Sequence, residues 1–127
     1  MAYEFQKHYT REEARTLLPR VRKWLQQIAQ SRKRLQHLDD RLAGLLSAGA
    51  DAGGEQVNRW VETVADIKDV LREFGRREIQ IKDLERGLID FPAIIGGKEV
   101  FLCWEQDEDD IEYWHDLQSG YAGRERL

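Results

Sequence analysis

Two adjacent glycines, Gly96-Gly97, constrain this chain more than any other feature. A Gly-Gly pair accepts the positive φ that a two-residue hairpin turn demands. Runs of strand-forming residues flank it on both sides, at 88–95 and 98–105. With the turn placed there, Ala93 falls opposite Val100, Phe91 opposite Leu102 and Ile89 opposite Trp104. Upstream, Glu78-Ile79-Gln80-Ile81-Lys82 alternates apolar with polar and predicts a further strand. Glu85-Arg86-Gly87 reads as a three-residue turn with Gly87 left-handed, which sets Ile81 against Phe91. One face of this meander then carries Ile79, Ile81, Ile89, Phe91, Ala93, Ile95, Val100, Leu102 and Trp104. A one-residue slip of either hairpin would break that face, so pattern and register support each other. The opposite face carries Lys82, Leu84, Leu88, Asp90, Pro92, Ile94, Glu99, Phe101, Cys103 and Glu105. It is mixed, and too apolar to stand bare to water.

Before the strands, Thr10-Arg11-Glu12-Glu13 forms a capping box that starts a helix, with Tyr9 placed as half of a hydrophobic staple. Ala14, Leu17, Val21, Trp24, Ile28, Ser31, Leu35, Leu38, Leu42 and Leu45 then recur at alternating spacings of three and four, one seam that Leu18 and Leu25 widen. Pro19 predicts a kink, or a short first helix with Pro19 opening the next. The small residues 47–54 read as a loop. Val57, Trp60, Val64, Ile67, Leu71 and Phe74 form the seam of a second helix, which Gly75 is placed to end. The two make an antiparallel hairpin with arms of about 37 and 20 residues, roughly 55 Å and 30 Å. The overhanging end of the first must bury Ala14, Leu17, Val21 and Trp24 on another surface. After the strands, the acids 107–110 suit a helix N-terminus. Ile111, Trp114, His115 and Gln118 share one face of that helix, Gly120 closes it and Tyr121 packs back.

The expected fold is α+β: a long antiparallel helical hairpin (about 10–75) packed on a three-stranded antiparallel β-meander (about 77–105), with a short C-terminal helix and turn (about 107–127). A chain of 127 residues reads as a single domain, 1–127.

Charge is unevenly placed. Nine Lys/Arg face four acids between Arg11 and Arg41, whereas 99–117 holds eight acids and no Lys/Arg. Attraction between these stretches, within the fold or across a dimer, is the favoured reading over nucleic-acid binding. The basic helix lacks the interleaved aromatic residues of a single-strand binder. No apolar run approaches the roughly 18 residues of a membrane span, and the N-terminus shows no apolar signal core. One cysteine fits a reducing cytoplasm.

YTREEARTLLPRV near the start, and the ordered series GLIDFP, LCW, YWH and GYAGR near the end, resemble the bacterial domain of unknown function DUF2203 over nearly the whole chain. Tyr9 and Tyr121 stand where that pattern has Phe, and Glu105 where it often has a basic residue. The resemblance implies no established activity, cofactor or substrate.

The candidate chemistry is sparse. Asp90, Cys103 and Lys82 should lie side by side across the strands, with His115 on the segment covering them. Asp90, Cys103 and His115 are candidate ligands of a transition metal, or a thiolate with an imidazole to activate it. The spacing matches no zinc signature, so a structural reading is favoured: Lys82–Asp90 as a cross-strand pair, Cys103 as a small core residue, His115 as a helix-face residue. Residues 120–124 can form an anion-binding turn clamped by Arg124, or a terminal turn held by an Arg–carboxylate bond. Asp90, His115 and Arg124 are thus the candidate ligand-binding residues. Neither a catalytic motif nor a cofactor fingerprint is present. The leading expectation is a small cytoplasmic structural or interaction module that forms a homo-oligomer and has a possible protein partner. The alternative is a ligand or metal site between sheet and C-terminal segment, and the third is nucleic-acid binding by the first helix.

Overall fold

The computed structural model describes residues 2–49 and 54–127; residues 50–53 of the expected loop lie outside the described residues. Helices α1 (Arg11–Ser47) and α2 (Gly54–Arg76) precede strands β1 (Gln80–Asp83), β2 (Leu88–Ile95), β3 (Lys98–Glu105), β4 (Tyr113–Asp116) and β5 (Glu125–Arg126), with a 3-10 turn at Tyr121–Gly123. The strands form one antiparallel sheet in chain order. The fold is α+β, but the sheet has five strands rather than three and the expected C-terminal helix is a strand and turn. The apolar spacing of 111–118 fits a helix, yet the open edge of β3 needs hydrogen-bond partners. Tyr113-Trp114-His115 is aromatic and strand-prone, and it fills that edge, pairing Cys103 with Tyr113 and Phe101 with His115.

The chain divides into two compact units: residues up to Lys23 with Glu73–Leu127, and Trp24–Arg72. In the first, β2 and β3 pair in the expected register, Ile89 with Trp104, Phe91 with Leu102 and Ala93 with Val100. Both turn glycines have positive φ, 58° at Gly96 and 78° at Gly97. The β1 register differs from expectation. Ile81 pairs with Ile89 and Gln80 with Asp90, and an irregularity follows before Asp83. The offset from the expected Ile81–Phe91 pairing is two residues, so Ile81 keeps its face. Lys82 loses its place opposite Asp90 and lies over the Phe101 ring, 4.7 Å from its centroid. Ile79, Ile89, Phe91, Ala93, Val100, Leu102 and Trp104 are buried, while Ile95 is exposed.

The capping box forms as expected, with Glu13 N–H donating to Thr10 Oγ1 at 3.1 Å and Thr10 N–H to Glu13 Oε1 at 3.0 Å. Pro19 is exposed and sits inside a continuous α1. The buried seam is Ala14, Leu18, Val21, Leu25 and Ile28, with Leu17 and Trp24 only half-buried. A 3.6-residue turn drifts against a strict heptad, which is why the contact line moves by one position. Arg15 makes a bidentate bond to Asp110 (2.8 and 2.9 Å), and Arg22 donates to the carbonyls of Gln106 and Glu108 at 2.9 Å. The acidic run is therefore a connection that receives arginines from α1, in place of the expected helix start.

Helix α2 continues past Gly75 to Arg76. Its left-handed residue is Glu78 (φ 57°), with Glu78 N–H donating to Gly75 O and Ile79 N–H to Phe74 O, both 3.1 Å. This is a Schellman ending, and Phe74 and Ile79 are both buried, as its apolar contact requires. Glu78 Oε1 accepts the Gln6 and Lys7 N–H groups at 2.9 and 2.8 Å, while Glu99 accepts those of Glu4 and Phe5 at 2.8 and 3.0 Å. The strap so anchored ends at Tyr9, whose N–H donates to Pro92 O at 2.7 Å and whose ring meets Phe91 edge-on.

In the second unit, Trp60 Nε1 donates to Asp39 Oδ1 at 2.8 Å. One groove brings Ser31 beside Val70 and another brings Leu38 beside Thr63, so the helices run in opposite directions. Among the described residues, no helix is long and apolar enough to cross a membrane.

The glycines supply a test of the sheet. Gly97→Ala should cost about 1–2 kcal/mol, the price of a left-handed L-residue in open space. Gly87→Ala should cost more, because φ is 64° and a Cβ would also lie 2.6 Å from Gln106 Cδ. Urea unfolding of the two variants measures the difference, and equal losses would show that Gln106 moves aside freely.

Candidate functional site

Strand pairing builds a row of chemically active side chains on the second face of the sheet. Asp90 on β2 lies directly opposite Cys103 on β3. His115 on β4 is paired with Phe101, one step along the same face from Cys103. Asp90, Cys103 and His115 are 1%, 0% and 2% exposed, and one donor atom from each lies within 4.8 Å of the others. Three of the residues selected from sequence are thus brought together. His115 arrives as part of the sheet rather than on a covering helix. Lys82, selected as the partner of Asp90, is not in the row, because β1 presents Gln80 there.

The hydrogen bonds define the protonation of the row. His115 Nδ1 is 2.6 Å from the Asp116 carbonyl, which can only accept, so Nδ1 carries a proton. His115 Nε2 is 3.0 Å from Asp90 Oδ2. Burial opposes a charged ring, but the bonds to Asp90 and Asp116 outweigh it and raise the His115 pKa above its ordinary value. Among the described residues, Asp90 Oδ1 has no hydrogen-bond partner. The Cys103 thiol is pushed up to about 12, first by burial and then by the charge of Asp90. Both imidazole nitrogens are engaged, by the Asp116 carbonyl and by Asp90, so His115 is not poised to activate the thiol as a nucleophile.

Arg124 borders the row. It makes a bidentate bond to Glu108 at 3.1 and 2.9 Å, and its guanidinium lies 3.9 and 4.2 Å from the Tyr113 and Tyr121 ring centroids. Its Nη1 is 3.9 Å from Cys103 Sγ. This is the Arg–carboxylate anchor of the terminal turn. Burial works against the Arg124 charge, but the Glu108 bond outweighs it and its pKa is raised. On the other side the Phe101 ring meets His115 at a tilt, centroids 5.5 Å apart, and Phe5 from the N-terminal strap meets Phe101 the same way at 5.4 Å. Sequence reasoning missed Glu108, Phe5 and the Asp116 carbonyl. Glu108 lies in a run of acids with no local mark to single it out.

A small α+β protein with a buried Asp-Cys-His row across three strands is the class this geometry defines. The chain belongs to the family described as "Uncharacterized conserved protein (DUF2203)", whose model matches residues 7–127. Neither a curated protein nor a solved structure matches it.

The Asp90–His115 contact has a measurable consequence. A raised folded pKa stabilises the fold below the unfolded histidine value, near 6.5, and that contribution is lost as pH rises through the folded value. Asp90→Asn should cost about 3–5 kcal/mol at low pH, the range for breaking a buried charged pair, and should flatten this pH dependence. Urea unfolding at several pH values tests both; an unchanged pH slope in Asp90→Asn would contradict the pairing.

Proposed function

We propose that this protein acts as an interaction module that self-associates through its helical hairpin. The observation behind the reading is the incomplete burial of α2 within the unit Trp24–Arg72. There α1 buries Leu25, Ile28 and Leu38, whereas the α2 residues of that unit, 54–72, bury only Thr63 among the described residues. Val57, Trp60, Val61 and Leu71 remain 45%, 36%, 52% and 38% exposed. Val57 and Val61 are one helical turn apart, with Trp60 beside them, so the exposed apolar surface is continuous along that side. Ser31 interrupts the α1 seam and lines a groove of about 300 Å³ with Arg34, Asp66 and Val70. A two-helix hairpin cannot cover such a surface alone, and a second copy closing a four-helix arrangement would cover it by a two-fold contact.

Nucleic-acid binding by the basic first helix draws less support. Arg15 and Arg22 are engaged by Asp110 and by the Gln106 and Glu108 carbonyls.

Gel filtration with light scattering should give a dimer or larger at high micromolar concentration. Val57→Glu with Val61→Glu should weaken association at least about tenfold, or 1.4 kcal/mol, with helix content unchanged by circular dichroism. A strict monomer, or a dimer indifferent to both substitutions, would contradict the proposal.

A further inference from the structure

The row on the sheet contains an oxygen that folding alone does not account for. Asp90 is 1% exposed, and among the described residues its Oδ1 has no hydrogen-bond partner although Oδ2 meets His115. A buried carboxylate oxygen served at most by the weak thiol donor of Cys103 leaves much of its desolvation cost uncompensated. Its carboxylate belongs to a group of three buried donors, with an imidazole nitrogen and a thiol sulfur within 4.8 Å. His115 is also held in one orientation, because Nδ1 is committed to the Asp116 carbonyl at 2.6 Å, leaving Nε2, 3.0 Å from Asp90 Oδ2, as the nitrogen free of the backbone.

We propose that Asp90, Cys103 Sγ and His115 Nε2 form a three-donor site for one divalent transition-metal ion of the zinc class, with a fourth position for water or a small anion. The donor set of nitrogen, sulfur and oxygen selects zinc, cobalt or a similar borderline ion over magnesium and calcium, which take oxygen ligands. Bond lengths of about 2.0–2.3 Å place tetrahedral ligands roughly 3.3–3.8 Å apart. The donors here lie within 4.8 Å of one another, so contraction by side-chain rotation brings them to that spacing. The Nδ1–H donated to a backbone carbonyl is the outer contact that fixes a metal-binding imidazole.

Charge balance favours a dication. Without metal, the row holds a neutral thiol and one proton shared by Asp90 and His115 Nε2, for no net charge. A divalent ion displaces both protons and binds a thiolate, a carboxylate and a neutral imidazole, again for no net charge. The oxygen without a partner then gains one. Arg124, 3.9 Å from Sγ and neutralised by Glu108, is placed to donate to the thiolate without adding net charge to the site.

Cobalt(II) titration of the untagged, chelator-treated full chain tests the site. The expected result is one ion per chain, with the intense visible absorption of tetrahedral cobalt, a thiolate-to-cobalt charge-transfer band and about two protons released per ion. Zinc should displace the cobalt and abolish the colour. Cys103→Ser should remove the charge-transfer band, and His115→Gln should weaken binding at least about a hundredfold, the upper part of the range seen even for outer contacts. Because the buried variants can lose their fold, the wild-type spectrum and proton count are decisive alone. Absence of saturable binding, or stoichiometric binding without the thiolate band, would overturn the proposal. The dimer measurement is independent of either outcome.

Discussion

The antiparallel pairing of β2 with β3 supports the rest of the sheet-bearing unit. Its two-glycine turn fixes which residues share a face, and the alternation of side chains then separates two environments. Ile89, Phe91, Ala93, Val100, Leu102 and Trp104 form an apolar surface on one side. Asp90, Pro92, Phe101 and Cys103 are carried to the other and are also buried. A sheet buried on both faces cannot leave its edges unpaired. Strand β1 and the Tyr9 N–H occupy the free edge of β2, and β4 occupies that of β3. His115 reaches Asp90 and Cys103 as a consequence of this edge pairing.

Arginines and carboxylates hold the irregular segments in place. Arg15, Arg22 and Arg124 all converge on 106–110, through Asp110, the Gln106 and Glu108 carbonyls, and the Glu108 carboxylate. Glu78 and Glu99 perform the reverse function for the strap, accepting the backbone N–H groups of residues 4–7. Glu78 adopts a left-handed conformation normally left to glycine, at a cost of about 1–2 kcal/mol. The two N–H groups it accepts offset that cost. The uneven distribution of charge along the chain thus has a partial explanation inside one unit.

The parts of the fold readable from sequence are those set by local rules. The Gly-Gly turn with its mirrored apolar runs yields the β2–β3 register, and Thr10 with Glu13 yields the start of α1. The Asp90–Cys103 adjacency follows from that register. Features decided by distant partners are not readable this way. Residues 111–118 fit both a helical and a strand pattern, and only the open edge of β3 decides between them. Gly75 resembles a helix terminator, whereas the turn falls at Glu78 because Ile79 returns to pack near Phe74. The Arg124–Glu108 bond spans two segments with no shared pattern. Lys82 misses Asp90 because the turn closes on Asp83 opposite Leu88, one residue off expectation, and the irregularity after Ile81 shifts the pairing by one more.

Asp90, Cys103 and His115 thus form one ordered polar unit inside the sheet. Nitrogen-15 NMR of the His115 ring in the metal-free protein tests it most directly. The account predicts an Nδ1–H that exchanges slowly with water and shows hydrogen bonding to the Asp116 carbonyl, with Nε2 responding to Asp90→Asn. A ring exchanging at the rate of an exposed histidine, or one protonated only at Nε2, would contradict it.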